Sequence, residues 1–177
     1  KTISRCGDNS NGKEWKKYTW SGLRLVDNLL KQLPNCTELT ALSLYGTDGT
    51  TQKLNIDLSN CRKIKNVYYV NRNIQLTLPD SVTYLNIGDG VPDISNCVNS
   101  IQEIGANLMS NVSTSDFTEM CKKLKDSNSL QRIRFTPSFD FDFSSLKYLS
   151  GSSIESIQIS RNPAWFGSFE KMKNLDF

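Results

Sequence analysis

From Leu39 onward one spacing of apolar residues keeps returning: apolar, two residues, apolar, one residue, apolar. Leu39/Leu42/Leu44 is the first instance. It is followed by Ile64/Val67/Tyr69, Val82/Leu85/Ile87, Ile101/Ile104/Ala106, Leu130/Ile133/Phe135, Ile154/Ile157/Ile159 and Met172/Leu175/Phe177. The first positions lie 25, 18, 19, 29, 24 and 18 residues apart. Within each unit the closing positions alternate with outward ones, which is the period of a half-buried strand. A unit that recurs at such intervals marks an architecture in which each copy adds one rung to a stack. Seven instances in order predict about seven short parallel strands over residues 39–177.

The segments between units predict the opposite wall. Leu54-Asn-Ile56-Asp-Leu58, Ile74-Gln-Leu76-Thr-Leu78 and Phe139-Asp-Phe141-Asp-Phe143 alternate apolar and polar, as half-buried extended returns do. The 29-residue interval is long enough for a helix instead. There Asp116-Phe-Thr-Glu119 reads as an N-cap with its capping-box partner, and Phe117, Met120, Cys121 and Leu124 share one helical face. The expected helix covers about 117–126.

The ends are read differently. Residues 1–18 are polar and carry Gly7, Asp8, Asn9 and Gly12, which predicts an irregular opening segment. Leu23, Val26, Leu29, Leu30 and Leu33 then fall at helical spacing over Ser21–Leu33, and Pro34 stops them. This helix is expected to shield the first strand, since a terminal repeat has no neighbour to cover it. The division is therefore 1–38 as opening segment and capping helix, and 39–177 as repeats. At the far end the seventh unit has just begun when the sequence stops at Phe177. An uncovered parallel strand leaves N–H and C=O groups unpaired. The chain is thus expected to be part of a longer protein and truncated at its C-terminal end, with self-association through residues 172–177 as an open route. Its first residue, Lys1, fits either a processed or an excised chain.

Composition narrows the function classes. With 37% hydrophobic and 22% charged residues the chain is globular, and no run approaches the ~18 apolar residues of a membrane span. A net charge of +3 is too small to argue for nucleic acid, and the basic clusters Lys13–Lys17, Arg62–Lys65 and Lys122–Lys125 read as solvated surface. There is no histidine, which removes His-based triads, general bases and metal sets together. No C-x-x-C, P-loop or G-x-G-x-x-G occurs; Gly88-Asp-Gly90 reads as a turn, and Asp140 and Asp142 as outward charges between core phenylalanines. No cofactor, metal or catalytic residue is expected, and the chain reads as a non-enzyme. Of the five cysteines, Cys36, Cys61 and Cys97 each follow an asparagine at the opening of a repeat. One residue type at one repeated position predicts one packing role, a buried reduced thiol. Cys6 and Cys121 have no such rationale, and Cys6 is open to a disulfide in a secreted cap. Asn35-Cys36-Thr37 and Asn111-Val112-Ser113 are glycosylation sequons.

The repeats resemble those of the leucine-rich repeat superfamily. Cys36–Leu44 and Cys61–Tyr69 match the C-x-x-L-x-x-L-x-L unit of cysteine-containing repeats in F-box adaptors. Leu78-Pro-Asp-Ser-Val82-Thr-Tyr-Leu85-Asn-Ile87-Gly88, followed by Ile94-Ser-Asn-Cys97, is similar to the unit of BspA-like surface proteins, although the Ala-Phe pair of that class is missing. The resemblance implies an α/β solenoid with about seven parallel strands on a concave face and mixed short strands and helices on the convex side. It also implies protein binding: adhesion or recognition at a cell surface or after secretion in the BspA-like case, and substrate recruitment by a cytoplasmic adaptor or scaffold in the other. The partner is another protein, with no nucleic acid and no membrane insertion.

Strand alternation assigns the concave face to Ala41, Ser43 and Tyr45; Asn66, Tyr68 and Val70; Tyr84, Asn86 and Gly88; Glu103, Gly105 and Asn107; Arg132, Arg134 and Thr136; and Ser156, Gln158 and Ser160. Tyr45, Tyr68 and Tyr84 are expected on neighbouring rungs, with the Arg132/Arg134 pair two rungs beyond. Tyrosine and arginine dominate interface hot spots. The candidate protein-binding residues are therefore Tyr45, Tyr68, Tyr84, Asn86, Glu103, Arg132, Arg134 and Gln158.

Overall fold

Every apolar triplet that falls within the described residues lies on or leads into a strand. The computed structural model describes residues 2–6, 17–21, 32–45, 54–70, 73–88, 90–108, 112–137 and 144–159. Ten strands are formed: β1 (Thr2–Cys6), β2 (Lys17–Ser21), β3 (Ala41–Tyr45), β4 (Leu54–Asp57), β5 (Asn66–Val70), β6 (Ile74–Thr77), β7 (Tyr84–Ile87), β8 (Glu103–Leu108), β9 (Arg132–Pro137) and β10 (Ser156–Ile159). The fold is α/β, with a mostly parallel main sheet in the order β1-β2-β3-β5-β7-β8-β9-β10. Among the described residues only the β1–β2 pair is antiparallel.

Register carries the repeat into space. Leu42, Val67, Leu85, Ile104, Ile133 and Ile157 form one row across the sheet, and Leu44, Tyr69, Ile87, Ala106, Phe135 and Ile159 the next. The first row from Leu42 to Ile133 is buried, and so are the leading residues Leu39, Ile64, Val82, Ile101 and Leu130. A one-residue slip would turn both rows to solvent, so burial fixes the register. The Met172/Leu175/Phe177 unit lies outside the described residues.

The return segments pair as anticipated. β4 and β6 form a second, two-stranded parallel sheet, with Ile56, Ile74 and Leu76 inward. A bridge from Thr77 to Asp93 continues it, closed by Leu78 N–H to Asp93 O and Asp93 N–H to Leu76 O. The two sheets share one core. Residues 139–143 lie outside the described residues.

The helix α1 (Thr114–Leu124) buries Phe117, Met120, Cys121 and Leu124, and the Phe117 ring meets Phe135 edge-on at 5.7 Å. Its start differs from the expectation. Ser113 rather than Asp116 is the N-cap, its Oγ accepting the Asp116 N–H at 3.0 Å. Ser113, Ser115 and Asp116 are all competent caps, and the earlier start places Phe117 inside the helix facing the core. Asp116 then sits in the first turn, where its charge favours the helix dipole. A 3-10 helix over Ser144–Gly151, absent from the sequence reading, packs beside α1 and buries Leu146 and Leu149.

The N-terminal reading needs a larger correction. Residues 1–18 are not wholly irregular: β1 and the start of β2 lie there, and the sheet begins at Thr2. Ile3, Tyr18, Thr19 and Trp20 are β-branched or aromatic, and β2 finds an edge to join on β3. Strand pairing therefore covers the first rung. Residues 22–31, which hold most of the expected capping helix, lie outside the described residues; Pro34 falls in a 3-10 turn, Leu33–Asn35.

A serine ladder ties the rungs together, and a repeated aspartate turn shapes them. Ser81, Ser100 and Ser129, each one residue before a leading apolar position, donate their Oγ to the carbonyls of Ile64, Val82 and Ile101 in the preceding unit at 2.7, 2.8 and 2.9 Å. Asp57 and Asp93 each accept the backbone N–H two residues on, at 2.9 and 3.1 Å, which sets the turn into Cys61 and Cys97.

Candidate binding face

The outer face of the main sheet is organised as rows running across the strands. In register, Ala41, Asn66, Tyr84, Glu103, Arg132 and Ser156 form one row. Ser43, Tyr68, Asn86, Gly105, Arg134 and Gln158 form the second. The inside/outside phase of the sequence reading holds: Asn66, Arg132, Arg134 and Gln158 are exposed, while Tyr68, Tyr84, Asn86 and Glu103 are half-buried.

Tyr45, Tyr68 and Tyr84 lie on the neighbouring strands β3, β5 and β7, as expected, with Arg132 and Arg134 two strands beyond on β9. The tyrosines stand in different rows. Tyr68 stands opposite Asn86, and Tyr84 opposite Asn66, so the two meet on the diagonal with ring centroids 5.4 Å apart at 50°. The reason is the 18-residue spacing between first positions combined with tyrosines at different places in their units: Tyr68 is the fifth residue of its unit and Tyr84 the third. Tyr45 lies one row further, paired with Ser21 and Val70, and its side chain is outside the described residues. The side chain of Asn107 and the whole of Ser160 likewise lie outside the described residues.

One detail of the face differs from expectation: Ser43, Gly88 and Gly105 are buried rather than presented. Strands stand about 4.8 Å apart, so a large side chain reaches over a small one on the next strand. A Cβ at Gly88 would meet Val70 Cγ2 at 3.0 Å. One at Gly105 would meet Asn86 Nδ2 at 2.6 Å and the Tyr84 hydroxyl at 3.2 Å. Gly105 is therefore the gap into which Tyr84 and Asn86 lean, joined to each other by an Asn86 Nδ2 to Tyr84 hydroxyl bond of 3.3 Å.

Next to that gap the three charges of the two rows converge. Glu103 Oε2 accepts a hydrogen bond from Arg132 Nη1 at 3.2 Å, and Glu103 Oε1 forms an ion pair with Arg134, 3.3 Å from its Nε. One carboxylate thus orients two guanidiniums on the neighbouring strand.

The other candidate chemistry is structural. Cys36, Cys61, Cys97 and Cys121 are free thiols. Cys36, Cys61 and Cys97 point Sγ at backbone carbonyls of Gln32, Leu33 and Ile94 at 3.5, 3.4 and 3.4 Å. Burial pushes the thiol of Cys61 up to about 11 and those of Cys97 and Cys121 up to about 12. Such groups stay protonated and inert at neutral pH. The side chain of Cys6 is outside the described residues. On the far side of the core, Lys123 Nζ reaches Asp93 Oδ1 at 2.8 Å and Ser95 Oγ at 2.9 Å, which pins α1 to the Asp93 turn. The Lys123 hydrogen bond, then that of Ser95, holds the Asp93 carboxyl down at about 2. Lys63 and Lys122 pair with Glu38 and Glu119 at 2.5 and 2.7 Å, as solvated surface clusters do.

Among the described residues a cavity of about 410 Å³ lies between the Ser144–Gly151 helix and β10, reaching Ser156 at the end of the face, and one of about 250 Å³ lies between α1 and the Val91–Ile94 segment. Among the described residues no group of three His, Cys, Asp or Glu side chains is placed to hold a metal, and no helix is long and apolar enough to cross a membrane. No family model, curated protein or solved structure matches this chain.

Proposed function

We propose that this chain is a noncatalytic protein-recognition module, a leucine-rich repeat solenoid that binds another protein through the outer, concave face of its main sheet. The observation that carries the reading is the asymmetry of that sheet. One face is closed into the core from β3 to β9, with Ile157 of β10 partly buried against it, and the other presents Tyr68, Tyr84, Asn86, Arg132, Arg134 and Gln158 in continuous rows. Tyrosine and arginine side chains held by neighbours lose little conformational freedom on binding, which is why they concentrate interface energy. The repeat resemblance, with surface or secreted BspA-like proteins as its nearer form, points the same way.

The test is affinity capture from the natural source with three immobilised proteins: the unaltered chain, Tyr68→Ala/Gln158→Ala, and Glu119→Ala/Lys122→Ala on α1. A partner held by the unaltered chain and the α1 variant but lost by the sheet variant supports the reading. Retention by the sheet variant with loss by the α1 variant refutes it.

A second reading is a cytoplasmic adaptor or scaffold of the F-box repeat type, favoured by four free cysteines, of which Cys61, Cys97 and Cys121 are buried and Cys36 half-buried. Counting reactive thiols after denaturing protein isolated without reductant separates the two. Four or five thiols support the adaptor, and fewer than four support the secreted form.

A further inference from the structure

We infer that the Glu103–Arg132–Arg134 cluster is a carboxylate-binding clamp, and that the face recognises an extended acidic segment of a partner protein whose carboxylate lies about three residues from an aromatic or large apolar anchor. The inference rests on the recognition reading above and deepens it.

The charge balance comes first. In the two rows the described charged side chains are Glu103, Arg132 and Arg134. Two guanidiniums share one carboxylate, so the cluster keeps one uncompensated positive charge. Glu103 is the inner member, with 20% of its side chain exposed against 45% and 49% for Arg132 and Arg134. Each of its oxygens lies beside a different arginine. Arg132 commits Nη1 to a hydrogen bond with Glu103, and Arg134 is held beside it as an ion pair. A guanidinium has five N–H donors, so each retains an outward edge. One incoming carboxylate would complete the balance at two cations and two anions, through charge-assisted hydrogen bonds.

The anchor position follows from register. Tyr84 lies two strands from Arg132 in the same row. At about 4.8 Å per strand that is about 10 Å, the reach of about three residues of extended chain. The tilted Tyr68/Tyr84 pair and the Asn86 amide supply a flat apolar and amide surface there. The strand between anchor and clamp contributes Glu103, already part of the clamp, to that row, and Gly105, which adds no side chain, to the next. The face is open rather than a cavity, so a small free anion would stay largely hydrated, whereas a peptide gains from contact at both ends.

The test is NMR on the full chain, following the Arg Nε–H signals and the tyrosine ring protons. The probes are acetyl-Phe-Gly-Ser-Glu-amide, the same peptide with Gln for Glu, and inorganic phosphate. The acidic peptide is expected to shift Arg132, Arg134 and both tyrosines, to bind at least tenfold more tightly than the Gln peptide, and to lose at least tenfold with Arg132→Gln/Arg134→Gln. Both arginines are exposed, and an unchanged amide spectrum verifies that the double variant folds. Equal binding of the two peptides, equal shifts with phosphate, shifts confined to Lys122–Lys125, or no shift at all would overturn the clamp. Loss of partner capture with Tyr68→Ala/Gln158→Ala alongside a failed clamp leaves recognition standing. Capture insensitive to the sheet variant removes both.

Discussion

Replacing Ile133 by Asp tests whether the sheet has the inside and outside described. Ile133 is 1% exposed, between Ile104 on β8 and Ile157 on β10, while its neighbours Arg132 and Arg134 face solvent. Losing the burial of an isoleucine side chain costs about 3 kcal/mol. The introduced carboxyl has no partner in that row, so the folded chain must hold it protonated. At pH 7, protonating a group whose ordinary pKa is about 3.9 costs about 4 kcal/mol. Burying the neutral carboxyl unpaired adds about 1–3 kcal/mol. The sum, about 8–10 kcal/mol, matches a whole domain's stability of about 5–15 kcal/mol, so Ile133→Asp is expected to be unfolded or nearly so at pH 7. The sign of its pH dependence is fixed. The folded form keeps the proton and the unfolded form releases it above about pH 3.9, so the penalty grows as pH rises and about 4 kcal/mol of it disappears near pH 4. Arg134→Ala, one residue away, is expected to cost about 0.5 kcal/mol, since its exposed pair with Glu103 is worth little to stability. Urea unfolding followed by circular dichroism at pH 7 and pH 4, with the unaltered chain measured alongside, gives both numbers. Equal losses for the two substitutions, or an Ile133→Asp deficit that does not shrink at pH 4, would show the phase assignment to be wrong.

Three further outcomes are expected. The Asp93 carboxyl, held down at about 2 by Lys123 and Ser95, stabilises the fold above its unfolded pKa of about 3.9 and loses that contribution as pH falls through about 2. Asp93→Asn should therefore lower Tm at pH 7 and leave it unchanged near pH 2, and equal effects at both would refute the pairing. Cys97 and Cys121, with thiols raised to about 12, should resist a thiol reagent at pH 8 in the native chain and react fully once it is denatured; rapid native labelling of either would contradict their burial. Ser127, 1% exposed, donates its Oγ to Val98 O at 2.8 Å, which Ser129 Oγ also reaches at 3.4 Å, and accepts the buried Leu130 N–H at 3.3 Å, so Ser127→Ala should cost about 1–3 kcal/mol by removing both contacts. A loss under about 0.3 kcal/mol in urea unfolding would count against those contacts.

The sequence by itself determined where β3, β5, β7, β8, β9 and β10 lie and which of their residues face inward. That information is local: apolar alternation at period two is the same whatever the neighbours are, and burial then admits one register. The return strands β4 and β6 and the buried face of α1 were legible for the same reason. Pairing between strands was decided only in three dimensions. β1 and β2 carry no repeat spacing, and they become strands because β3 offers an unpaired edge. The serine ladder was invisible because each Oγ bonds a carbonyl in the preceding unit, 17 to 28 residues away; the recurrence of Ser before a leading apolar residue was the available signal. On the outer face the sequence named Tyr68, Tyr84, Asn86, Glu103, Arg132 and Arg134 as outward. It could not say that Tyr84 and Asn86 fill the gap at Gly105, or that one carboxylate holds two arginines, because these contacts depend on how side chains lean across a 4.8 Å strand spacing. Alternation tells a residue which face it occupies; only the packed sheet tells it which neighbour it touches.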